Sequence, residues 1–137
     1  MISKHLIYYT LGLSGLTLLF RATLSFLLNE EMFISVWVAA VIYLLLIFMM
    51  AYYIALSEKE KLNLNDPGFR FHVVTFLVCN GIGLLWFYYG SPSFRESIMS
   101  IYYTLIIWGV FVLFHLFMFL KAQKSSIKGI DRTDIFE

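Results

Sequence analysis

The chain has 137 residues, of which 61% are hydrophobic and only 14% charged, with a mean hydropathy of +0.81. Soluble domains average about 45–50% apolar and about 25% charged residues, so this composition excludes an ordinary water-soluble globule and belongs to the membrane class. A net charge of +1 leaves no dense basic stripe for tracking nucleic-acid phosphates.

A helix crossing a hydrocarbon core of about 30 Å needs roughly 20 apolar residues. The first such stretch, Leu6 to Leu28, follows Lys4 as a secretion signal would. It outruns the ~7–15-residue apolar core of a signal and has no small-x-small site before Asn29, so it reads as a retained helix. Asn29, Glu30 and Glu31 separate it from the second stretch, Ile34 to Leu56. The longest internal loop, Ser57 to Gly68, leads to the third, Phe71 to Tyr89, and Gly90-Ser91-Pro92-Ser93 opens the turn to the fourth, Ile98 to Leu120. Connections this tight predict two antiparallel hairpins. The expected architecture is an all-α membrane protein, with a four-helix transmembrane domain over residues 1–120 and a polar tail over 121–137.

Orientation follows from Lys and Arg, which stay preferentially in the cytoplasm. Lys4, Lys59, Lys61, Arg70, Lys121, Lys124, Lys128 and Arg132 flank one side, whereas Arg95 stands alone on the other. Both termini are therefore predicted to be cytoplasmic. Aromatic belts at the two headgroup levels agree, with Tyr8, Tyr9, Tyr52 and Tyr53 inside and Trp37, Trp86, Tyr88, Tyr89, Tyr102 and Tyr103 outside. The run Gly15 to Phe20 also echoes Gly81 to Trp86, as parallel hairpin repeats do in some transporters.

Polar side chains inside a span either meet another helix or serve function, because lipid cannot satisfy them. Arg21 lies about 10 Å of helix from the outer end of its span. It either snorkels, pairs with Glu30, Glu31 or Glu96, or forms an anion or substrate site. Asn80 lies near mid-membrane and reads as an interhelical hydrogen bonder, with Gly81 and Gly83 beside it, and Gly109 on the last span, letting helices approach. The only cysteine, Cys79, reads as packed or facing lipid.

Three histidines, His5, His72 and His115, fall on the cytoplasmic side. Imidazole ligates metals and, axially, haem iron, so His72 and His115 are candidate ligands, with His5 a third. A structural zinc site would want four ligands, so no metal site is assigned firmly. The alternative is interfacial hydrogen bonding, with His115 bonded to backbone or to Asn80. No phosphate loop, nucleophile motif or paired intramembrane carboxylates occur, and the reading is non-enzymatic.

In the second half, His72 is followed two turns later by Asn80, then by Ser91-Pro92-Ser93, then by Trp108-Gly109 and His115. The stretch Phe71 to Phe119 thereby resembles the bacterial two-transmembrane (2TM) domain family. It departs in having Phe111 where a second Gly is usual. The opening His5-Leu6-Ile7-Tyr8-Tyr9 echoes the same start, with Leu13 standing where Asn would be. The resemblance implies a multi-pass protein of the bacterial inner membrane acting as a sensing or interaction module. It supplies no ligand.

After Leu120, Lys121, Lys124 and Lys128 at about one-turn spacing predict that the last helix continues past the bilayer over anionic lipid. Gly129 would end it, and Ile135 and Phe136 are either a frayed end or docking anchors. Three functions remain open on the sequence. The first is a helix-association module, as a homo-oligomer or as an accessory subunit of a larger membrane complex, with Asn80, Trp108 and His115 in helix contacts. The second is a haem or metal carrier using His72 and His115. The third is a small oligomeric transporter or pore lined by Arg21 and Asn80.

Overall fold

A computed structural model describes residues 4–62 and 68–128. It contains four helices, α1 (Lys4–Asn29), α2 (Phe33–Leu62), α3 (Gly68–Tyr89) and α4 (Ile98–Lys128), and no strand among the described residues. Each has a segment long and apolar enough to cross a membrane: Lys4–Asn29, Phe33–Ile54, Phe69–Tyr89 and Ile98–Lys121. The chain folds this way because a segment in lipid must satisfy its own backbone, and the helix does so residue by residue. Pro92 stands between α3 and α4, where it does not interrupt that ladder. The expected tail anchors Ile135 and Phe136, and Gly129, lie outside the described residues.

The turn after α1 is closed by its own backbone. Met32 N donates to Leu27 O at 2.9 Å and Glu31 N to Leu28 O at 3.3 Å, the paired bonds of a Schellman ending. Glu31 occupies the left-handed position of that motif, with φ of 59°, where glycine is usual.

α1 and α3 form the spine. Their contacts run in step along both helices, with Tyr9 against Thr75, Thr17 within 3.9 Å of Cys79, and Ser25 against Trp86. α2 covers one flank of α1 in the opposite order, Gly12 meeting Met50 and Thr17 meeting Tyr43. α4 covers α3 likewise, from Phe69 with Phe119, through Phe76 with Trp108, to Gly83 with Ile101. α2 and α4 do not approach each other as backbones.

The tightest packing lies where α1 meets α3. Tyr9 and Leu13 are fully buried, and the Tyr9 ring stands edge-on to Phe71 with ring centres 4.9 Å apart. Tyr9 therefore leaves the aromatic belt expected for it, unlike exposed Tyr8, Tyr52 and Tyr53. Its hydroxyl has a partner inside: Thr75 Oγ1 already donates to Phe71 O at 2.7 Å, so Tyr9 donates to Thr75, at 2.6 Å. Leu13, at the position where the 2TM pattern would have Asn, belongs to the same apolar core.

Candidate functional site

Because α2 leans on α1 and α4 on α3, a cleft runs between α2 and α4, floored by α1 and α3. Three adjoining cavities of about 280, 400 and 870 Å³ follow it, and Leu44 of α2 and Trp108 of α4 line all three. The lining reaches from Ser100 to Met118 on α4, about 27 Å of helix and so close to the thickness of a hydrocarbon core.

The floor of the part nearer the α3–α4 turn is polar. Thr17 Oγ1 donates to Leu13 O at 2.7 Å, so the Tyr43 hydroxyl, 2.9 Å away, donates to Thr17. With its proton committed there, Tyr43 accepts from the Cys79 thiol at 3.2 Å. This relay ties α1, α2 and α3 together at one level and satisfies three polar groups that lipid would leave bare. Cys79 is thus packed, as one of the two alternatives had it.

Asn80 lines the same cavity and is 6% exposed. Its Nδ2 donates to Phe76 O of its own helix at 2.8 Å, where a bond to a neighbouring helix was expected. Its carboxamide oxygen has no hydrogen-bond partner among the described residues. The flanking glycines divide. Gly83 packs on Ile101 and Gly109 on Phe76, whereas nothing lies within 4 Å of where a Cβ of Gly81 would sit, so Gly81 makes no close helix contact here.

Arg21 also lines this cavity, and its Nη2 lies 3.2 Å from Glu96 Oε2. That contact is an ion pair without hydrogen-bond alignment, and Arg21 Nε is buried with no partner. Glu96 is the node of a polar cluster at the end of the bundle where α1 turns into α2 and α3 into α4. Its Oε1 accepts from Ser25 Oγ and, at 3.0 Å, from Ser93 N, while Trp86 Nε1 donates to Ser25 Oγ at 3.0 Å. Ser93 Oγ donates to Asn29 Oδ1 at 2.6 Å, and Arg95 pairs with Glu31.

The opposite part of the cleft, near the start of α3, is aromatic. His72 and His115 both line its largest cavity, their rings 5.5 Å apart and tilted by 27°. Trp108 meets the His72 ring from one side and Phe69 meets the His115 ring from another. Neither imidazole hydrogen-bonds to Asn80 or to backbone among the described residues. His5 sits in the first turn of α1, and among the described residues no third His, Cys, Asp or Glu joins the His72–His115 pair.

Ser25 and Tyr43 are the residues that sequence reading left without an assigned role, and Glu96 was one of three acidic partners open to Arg21. Tyr43 and Ser25 sit among long apolar runs and carried the only usable signal, an oxygen deep in a span. Comparison with family models, with curated proteins and with solved structures gives no match.

Proposed function

We propose that the chain is a small non-enzymatic protein of the bacterial inner membrane, folded as two antiparallel hairpins with both termini cytoplasmic, and that it senses or binds another membrane component through the α2–α4 cleft. One observation carries this reading. His72, Asn80, Trp108 and His115, spread over two helices and shared with the 2TM pattern, all line that one cleft. Had they served packing alone, they would be expected at the α1–α3 spine, where the burial is deepest. The reading of orientation rests on the Lys and Arg distribution. A homo-oligomer or a larger complex would bring a partner helix to the same cleft.

The experiment places a photo-crosslinking amino acid at Phe48 or Phe111, which line the cleft, and at Leu11 or Leu18, which are exposed on α1. Discrete adducts are expected from the cleft positions and diffuse lipid labelling from α1. The same pattern from both sets removes the cleft as a working surface. Orientation is read separately from Arg95→Cys and Lys121→Cys, expected to react with an impermeant thiol reagent from opposite faces.

A second reading is favoured by the His72–His115 pair itself. Two imidazoles from facing helices fit the axial requirement of a haem better than the four-ligand requirement of structural zinc. It predicts a Soret band or stoichiometric metal in gently extracted protein, lost in His115→Ala. A colourless, metal-free preparation ends that reading.

A further inference from the structure

The largest cavity of the cleft is lined by two histidines whose nitrogens no neighbour uses. Among the described residues neither His72 nor His115 has a hydrogen bond, and none of their ring nitrogens is sealed from the cavity, unlike Arg21 Nε. Met118 lines the same cavity. We propose that His72, His115 and Met118 hold a single copper(I) ion. The proposal rests on the second reading, that the histidine pair holds a cofactor, and names the ion and its third ligand.

The distance between the rings separates a haem from a smaller centre. A ring nitrogen about 2.0 Å from a shared metal puts the ring centre about 3.2 Å from it, so rings on opposite sides stand about 6.4 Å apart and rings at about 120° stand about 5.5 Å apart. The observed separation is 5.5 Å, with the ring planes tilted by 27°. It matches two arms of a trigonal centre and falls short of the axial pair of a haem. Histidine χ2 is a broad torsion, so a nitrogen of each ring can be turned into the space the two share.

Met118 supplies the third arm. It follows His115 by three residues on α4, so the two Cβ atoms lie about 5–6 Å apart on one face. Helical side chains lean toward the N-terminus, which lays the Met118 thioether back over the turn that carries His115. Its flexible, unbranched chain lets the sulfur close on an ion held between the rings.

The donor set selects the ion. Two neutral imidazoles and a thioether bring no negative charge, and among the described residues no Asp, Glu or Cys joins them. A divalent ion would leave two uncompensated charges in the span, whereas copper(I) leaves one. Structural zinc prefers four ligands and copper(II) a tetragonal set of nitrogen and oxygen, while thioether sulfur favours copper(I). Trp108, its ring centre 6.2 Å from that of His72, walls the cavity with Phe114, and aromatic faces attract the remaining charge. His72 lies three residues after Phe69 and His115 six before Lys121, the ends of their spans, so the site is near water from which an ion can arrive.

The test titrates copper(I) into the full chain in lipid nanodiscs, anaerobically and against a colorimetric chelator, with zinc(II) and haem titrated in parallel. One copper(I) per chain is expected, held at least about tenfold more tightly than in Met118→Leu. X-ray absorption of the copper should show two nitrogen neighbours and one sulfur. Met99→Leu, exposed at the other end of α4, should bind as the parent does. Absence of stoichiometric copper(I), equal affinity in Met118→Leu, or a copper centre without sulfur overturns the proposal. Haem or zinc(II) bound in place of copper sinks the copper and keeps the cofactor reading of the pair, whereas a chain that takes up none of the three sinks both. The absorption spectrum of the unaltered chain decides the matter even where Met118→Leu does not fold.

Discussion

Arg21 of α1 and Glu96 of the segment before α4 form an ion pair at 3.2 Å, with side chains only 14% and 6% exposed. Through Glu96 the same pair reaches Ser25, Ser93 and, by way of Ser25, Trp86. The entry to α4 is thus fastened to the spine near the end of α1, while α2 and α4 stay apart along the cleft.

Removing one partner should cost more than removing both. Glu96→Ala leaves a buried guanidinium unpaired, and a loss of about 3–5 kcal/mol is expected; Arg21→Leu combined with Glu96→Leu should lose less than either single change. Reversible unfolding in mixed micelles measures both. A double variant as unstable as the sum of the singles would mean the two side chains do not act as a pair.

The Tyr9–Thr75 bond joins α1 to α3 at the deepest packed level. Tyr9→Phe and Thr75→Val should show a coupling of about 0.6 kcal/mol, up to ~1.7, in a double-mutant cycle, the range found for hydrogen bonds between membrane helices. Strict additivity would show that the edge-on contact with Phe71, and not the hydroxyl, holds Tyr9 in place.

Glycines in this chain are not equivalent. Gly15→Ala and Gly81→Ala meet nothing within 4 Å and should fold as the parent does, or slightly better from helix propensity. Gly90→Ala puts its Cβ 2.6 Å from Trp86 O and 2.9 Å from the Trp86 ring, and should destabilise by about 1–3 kcal/mol. Thermal aggregation midpoints of the three variants check the order, and a Gly81→Ala protein less stable than Gly90→Ala contradicts it.

Glu31 holds a left-handed backbone at the α1–α2 turn and pairs with Arg95 at the surface. Glu31→Gly and Glu31→Ala both lose that exposed pair, but only glycine relieves the backbone. The glycine variant should therefore be about 1–2 kcal/mol more stable than the alanine variant. Comparing the two cancels the ion pair, and equal stabilities would place the turn's strain elsewhere.

The helices were legible for a simple reason: a span in lipid needs a long apolar run, and such runs are visible in one dimension. Their observed ends differ most at α2, which continues to Leu62 beyond its apolar stretch, whereas α4 runs on to Lys128 as the lysine spacing had it. Polar residues can prolong a helix once it leaves the membrane, so hydropathy marks the bilayer and not the helix end. Tyr9 shows where such reading fails. A tyrosine near a span end fits an interface belt equally well as a core, and only the nearness of Thr75 and Phe71, 66 and 62 residues away, decides between them.

Apolar length, charge asymmetry and the identity of the few polar side chains come from the sequence by itself, since each is set by what lipid will accept. The choice of partners came only with the folded bundle. Arg21 had three acidic residues within the terms of its sequence and took Glu96; Asn80 turned back on its own helix; Gly83 packs and Gly81 does not. A helix is apolar on nearly all sides in lipid, so its sequence does not say which side meets a neighbour. Rotation and pairing of the four rods are settled by packing between residues far apart in the chain, and the α2–α4 cleft exists only as a consequence of that settlement.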